Sequence, residues 1–207
     1  MKRIIASVAL MMMCAIATWA DSPLTSTDFH QAYATHPMVE LAADFEPGSM
    51  ISTTLLQFLA DDQQPTDVRL AVINRLGWSF DGNDSFLQLG EYLMKKHKAK
   101  NLDKMTKKLN PKTLAVYAYA MAMRNYFDVK DASRLASMAV KRDKEHCLSI
   151  AMVDALIKAQ IYLDDDWSLI YPTVAGVLND GSLKLDMRQS AIDIIMDYIN
   201  CYQEYAK

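Results

Sequence analysis

Glycine and proline are scarce, at 6 each in 207 residues, and cysteine is scarcer, at 3. That excludes collagen, low-complexity linkers and a miniprotein held together by disulfides. No apolar run follows the first twenty residues, so nothing beyond them matches the roughly 20-residue length of a spanning helix. Missing too are the Gly-x-Ser-x-Gly elbow, a phosphate-cradling glycine loop, Cys-x-x-Cys and His-Glu-x-x-His. No local motif therefore announces a nucleophile, a nucleotide or a zinc ion. What remains is an ordinary globular composition, 51% hydrophobic and 23% charged with a net charge of -3, enough to build a sizeable core.

The first twenty residues read as a cleavable export signal. Lys2 and Arg3 precede an apolar stretch, and Thr18-Trp19-Ala20 puts small residues at the first and third places before Asp21. The expectation is an exported, periplasmic or extracellular chain of residues 21–207 forming one domain. Acylation at Cys14 is disfavoured, because lipoprotein signals place small residues before the cysteine and Met12 and Met13 stand there. Cys147 and Cys201 then remain, and two readings of them stay open: a single bridge, or two small buried hydrophobes.

The dominant period is helical. Alternating β-branched stretches bounded by hairpin turns are missing, while Ala, Leu, Met, Lys and Asp fill the chain. Caps and breakers predict helices over 66–79, 84–98, 110–127, 131–142, 145–163, 166–178 and 186–205, with shorter ones at 28–35, 38–45 and 52–60. The fold class that follows is all-α.

A weak internal repeat is present. Asp67-Val68-Arg69-Leu70-Ala71-Val72-Ile73 can be laid on Asp186-Met187-Arg188-Gln189-Ser190-Ala191-Ile192: acid, apolar residue, arginine, then a small residue and an isoleucine at matching places. The arginines are 119 residues apart, close to three periods of about 40. Segments around Thr113 and Leu148 keep the apolar and small positions without the arginine. With the proline-bearing segment Leu169-Ile170-Tyr171-Pro172 ahead of the last copy, this pattern resembles the HEAT repeat; the small-residue spacing Ala132, Ala136, Ala139 resembles tetratricopeptide hairpins less closely. The resemblance implies a short right-handed α-solenoid of about four stacked hairpins, at 50–79, 84–127, 131–163 and 166–205, with 23–47 as an N-terminal cap. It also implies a non-catalytic module that binds another protein. On physical grounds alone, hairpins with more apolar surface than they can bury internally must stack.

Charge is distributed unevenly. Residues 21–94 carry a net charge of -9, residues 95–144 a net +10 and residues 145–207 a net -6. Lys95, Lys96, Lys98, Lys100, Lys104, Lys107 and Lys108 concentrate the positive block, with Asp103 alone against them. Such a patch steers an anionic partner: an acidic protein, a lipid headgroup or an acidic glycan. A solvated helix end, where lysine suits the macrodipole, accounts for the same residues without a partner. Nucleic acid is not expected, because the chain is acidic and no aromatic residue interrupts the lysine run to stack on bases. The four histidines, His30, His36, His97 and His146, lack ligand spacing and are read as surface or satisfied groups. Tyr117, Tyr119, Tyr126, Tyr162 and Tyr171 are expected in or at the edge of the core. No catalytic, cofactor or metal residue is assigned, and an enzyme is left as a site that could assemble only in space.

Overall fold

The computed structural model describes residues 22–79 and 84–206. The export signal read at 1–20 and Cys14 within it lie outside the described residues. Those residues form ten α-helices: α1 Pro37–Ala42, α2 Thr53–Ala60, α3 Thr66–Leu76, α4 Asp84–Lys96, α5 Leu102–Lys108, α6 Pro111–Arg124, α7 Lys130–Arg142, α8 Leu148–Asp165, α9 Ile170–Leu178 and α10 Gln189–Ile199. Three 3-10 turns, Phe29–Tyr33, Trp167–Leu169 and Asn200–Tyr205, complete the order. The fold is all-α, with no strand among the described residues beyond one bridge between Cys147 and Lys184.

Three helices make the centre. In α6 the run Leu114-Ala115-Val116-Tyr117-Ala118-Tyr119-Ala120 is buried on every side, and α3 and α8 are buried nearly as fully. A helix apolar around its whole girth must be enclosed by others. The enclosing helices are one-sided. In α7 the buried residues are Ala132, Leu135, Ala136 and Ala139, an i, i+3, i+4, i+7 stripe whose small side chains admit α6 and α8 at close range. The three most extensive helix contacts join sequential neighbours, α6 on α7, α7 on α8 and α8 on α9.

Boundaries follow local chemistry. Ser52 caps α2 by accepting from the Leu55 amide at 3.3 Å, and Asn110 caps α6 by accepting from the Thr113 amide at 2.8 Å, with Pro111 at the first helical position. Helix α3 stops three residues before the predicted end, because Gly77 adopts φ 66° and ψ -160°, a conformation reserved in practice for glycine. Between the helices expected at 84–98 and 110–127 stands a separate helix, α5, capped by Asn101 and buried through Met105 and Thr106. Segment 166–178 begins as a 3-10 turn, and α10 starts at Gln189 and ends at Ile199.

The last helix returns to the beginning of the chain. Helix α10 packs on the turn Phe29–Tyr33, which in turn lies on α3. An open stack, in which each hairpin meets only its neighbours, lacks such a contact. The repeated arginines have different surroundings. Arg69 is fully buried and donates to the Leu59 carbonyl at 3.3 Å and Thr113 Oγ1 at 3.1 Å. Arg188 is exposed; it donates to the Ala32 carbonyl at 2.7 Å and lies 4.5 Å over the Tyr33 ring. The two copies nevertheless meet, since the Tyr33 hydroxyl donates to Asp67 Oδ2 at 2.8 Å and accepts from the Arg188 amide at 3.1 Å. Asp186 of the second copy caps α8, accepting from the Ser149 amide at 2.8 Å and the Ser149 hydroxyl at 2.7 Å.

Cys147 is buried ahead of α8, Cys201 is exposed on the final 3-10 turn, and both are free thiols. Burial, with Asp186 and Asp143 nearby, pushes the Cys147 thiol up to about 12. No helix among the described residues is long and apolar enough to cross a membrane.

Candidate functional site

The seven candidate lysines occupy one corner, where α4 ends and α5 runs. Helix α4 closes with the Ala99 amide bonded back to the Met94 carbonyl at 2.9 Å, which puts Lys98 in the left-handed region at φ 48°. This is the Schellman arrangement, in which glycine usually holds the place taken here by Lys98. The tight stop turns the chain at once into Asn101, whose side chain accepts from the Lys104 amide at 2.9 Å and starts α5.

All seven lysines are exposed, but three are engaged. Lys96 Nζ donates to the Ala60 carbonyl at 2.6 Å and so closes the C-terminus of α2. Lys108 Nζ does the same for α4, donating to the carbonyls of His97 at 2.8 Å and Lys98 at 3.3 Å. Lys107 pairs with Asp103 at 2.8 Å, one turn apart on α5. These contacts match the solvated-helix-end account, since an ammonium at a helix C-terminus meets unpaired carbonyls and the negative end of the dipole. Lys95, Lys98, Lys100 and Lys104 have no side-chain hydrogen-bond or ion-pair partner among the described residues. Two of the engaged lysines act on His97, which is lowered below its ordinary value by burial, then by Lys96 and Lys108.

A groove of about 450 Å³ adjoins the corner, lined among others by Asp62, Lys112, Arg142 and Glu145. Its charges are mostly tied to one another or to backbone. Lys112 bonds Glu145 at 2.9 Å, Lys184 approaches the same carboxylate at 3.6 Å, and Asn110 donates to Asp62 at 2.8 Å. Arg142 donates to the carbonyls of Thr106 and Leu109, fastening α7 to the end of α5. Glu145 is held below the usual carboxylate range by its bond to Lys112. Arg142 and Lys112 thus extend the basic corner, but neither shares the lysine run, and no spacing in the sequence joins them to it.

Two of the four histidines serve structure. His30 bonds Asn74 Oδ1 through its ring nitrogen at 2.8 Å, and His36 accepts from the Met38 amide at 3.2 Å. Among the described residues no group of three or more His, Cys, Asp or Glu side chains is placed to hold a metal ion. Tyr117, Tyr119 and Tyr126 are buried and Tyr162 and Tyr171 half-buried, as the core reading expects. No protein-family model matches the chain, and searches of curated proteins and of solved structures return no match.

Proposed function

We propose that this chain is a non-catalytic helical module of the exported compartment that docks an acidic partner protein through its lysine corner. A single observation carries the reading: three lysines of the run are spent on helix ends and on Asp103, while Lys95, Lys98, Lys100 and Lys104 stand unpaired beside them. Three fixed cations and four free ones produce a positive surface whose scaffold does not depend on the free four. HEAT-like stacking belongs to the same proposal for the hairpins of α6 to α9, which pack in sequence, whereas α10 folds back on the first turn. Export rests on the leader at 1–20. The alternative partner, an anionic lipid or glycan, uses the same ammonium groups and is separated by experiment.

The test is retention on an immobilised glutamate-rich peptide, alongside heparin and anionic vesicles, at rising salt. Exposed charges lose most of their mutual attraction beyond about 10 Å at 0.1 M salt, so retention on the peptide should fall steeply across that range. Changing Lys95, Lys98, Lys100 and Lys104 to Gln should abolish it without altering the thermal unfolding midpoint. Salt-insensitive retention, or retention unchanged in the fourfold variant, refutes the reading. Stronger retention on heparin or vesicles than on the peptide moves the site to a glycan or a lipid surface.

A further inference from the structure

A second cavity, of about 440 Å³, lies at the opposite end of α6, between the segment 126–130 and the last turns of α8. Its character is the reverse of the lysine corner. Tyr126 and Phe127 supply two rings with centroids 4.2 Å apart, Tyr126 buried with Trp78 edge-on to it at 4.8 Å, and Phe127 64% exposed. Asp128, Asp164 and Asp165 supply three exposed carboxylates with no ion-pair partner among the described residues.

Gln160 adds an independent observation. It lines this cavity yet is only 4% exposed, and its Oε1 meets no hydrogen-bond partner. Buried polar atoms are normally paired, so an orphaned acceptor at a cavity wall marks a place for a donor. The other buried polar atoms without a partner belong to Arg69 and Tyr117, and neither residue lines this space. Aspartates also crowd the C-terminus of α8, whose last turn holds no basic residue. The negative end of a helix dipole favours cations, so the carboxylates there raise the local demand for positive charge.

The geometry points to a binding site for an arginine side chain of a peptide partner. A guanidinium combines what the walls ask for: a flat face to lie against Tyr126 and Phe127, forked N–H donors for carboxylates, and a further donor for the Gln160 carbonyl. An ammonium offers a charge without the plane, and a neutral urea group offers the plane without the charge. Lys130 also lines the cavity, where its charge opposes a second cation. The site is independent of the lysine corner, and either can fail alone.

Titration with Ac-Gly-Arg-Gly-NH2, read by NMR at the Gln160 side-chain amide and the Tyr126 and Phe127 ring signals, tests it. Saturable shifts with a dissociation constant in the millimolar range, roughly 1 mM, are expected for one anchored side chain. The citrulline peptide, same shape without the charge, should shift nothing, and the lysine peptide should bind at least about threefold more weakly. Asp164→Asn with Asp165→Asn, both at exposed positions, should weaken the arginine peptide about tenfold, and Lys130→Gln should strengthen it. Equal binding of arginine and citrulline peptides, equal binding of arginine and lysine peptides, or no saturable shift at these signals would overturn the assignment.

Discussion

Removing one oxygen tests how the two ends of the chain are held together. In Tyr33→Phe the ring stays under Arg188, but two hydrogen bonds are lost, one to the Asp67 carboxylate and one from the Arg188 amide. A bond to a charged group contributes about 1.5–3 kcal/mol and a neutral one about 1 kcal/mol. Arg188 is exposed and its amide can turn to water, whereas Asp67 is half-buried and recovers less. A net cost of about 2 kcal/mol follows at neutral pH, about 4–8 °C in unfolding midpoint for a domain of this size. The pH dependence is the sharper test. Burial raises the Asp67 carboxyl above its ordinary value, with Asp186 adding to the rise, while Tyr33, the Val68 amide and Arg188 oppose it.

The folded state therefore binds the Asp67 proton more readily than the unfolded state. Stability from this group is fully present below the ordinary carboxylate value and is lost as pH rises through the folded one. Without the hydroxyl the folded value rises further, so the variant loses more than the parent over that window. Urea unfolding at about pH 7 and about pH 4 should show a penalty larger at neutral pH by about 1 kcal/mol, because the acid-side bond is neutral to neutral. Amide exchange in α10 should also quicken relative to α6. An equal penalty at both pH values, or one larger in acid, refutes the view that the hydroxyl serves a charged carboxylate.

Two further buried polar groups, on Arg69 and Tyr117, can be probed by substitution. Burial lowers the Arg69 guanidinium from its ordinary value to about 10, roughly 3 kcal/mol against the charged form, offset by two hydrogen bonds. Arg69→Met, which fills much of the volume without the charge, should cost no more than about 1–2 kcal/mol, while Arg69→Ala should cost about 4 kcal/mol through the cavity it leaves; equal costs in urea unfolding contradict this balance. The Tyr117 hydroxyl is buried without a partner, and a methyl on Gly90 would stand 3.2 Å from it. Tyr117→Phe should raise stability by about 1 kcal/mol, and Gly90→Ala should be better tolerated in that background than alone; a destabilised Tyr117→Phe would show that the hydroxyl is satisfied.

Local chemistry was legible in the sequence wherever one side chain decides the backbone. Ser52, Asn110 and Pro111 announce helix starts because a cap needs only its own four residues. In the last helix Met187, Ala191, Ile195 and Tyr202 are buried at helical spacing, but Ile192 and Ile199 are buried as well, because α10 lies against the Phe29–Tyr33 turn as well as its sequential neighbours. Helix α5 was hidden because its lysines mask the apolar stripe Met105 and Leu109. The exposure of the seven lysines could be read from their density, whereas the carbonyls engaged by Lys96 and Lys108 belong to residues fixed only by tertiary packing. Tyr126 and Gln160 share a cavity across 34 positions, a relation no local period encodes.

Helix α6 separates two ends of opposite charge by about 21 Å, the rise of 14 residues. The lysines near its start lie at the C-termini of α4 and α5, where carbonyls and dipoles favour cations, so packing alone explains part of that charge. The aspartates at the other end sit at the C-terminus of α8, where the dipole disfavours them, and next to an amide oxygen with no donor. Charges that fit the local field need no partner to account for them; charges that oppose it, held beside an unmet acceptor, are where the proposed arginine side chain has most to offer. Local rules are broken where function requires it. By that reasoning the acidic cavity is the more informative end of the molecule, even though the lysine run is the more conspicuous feature of its sequence.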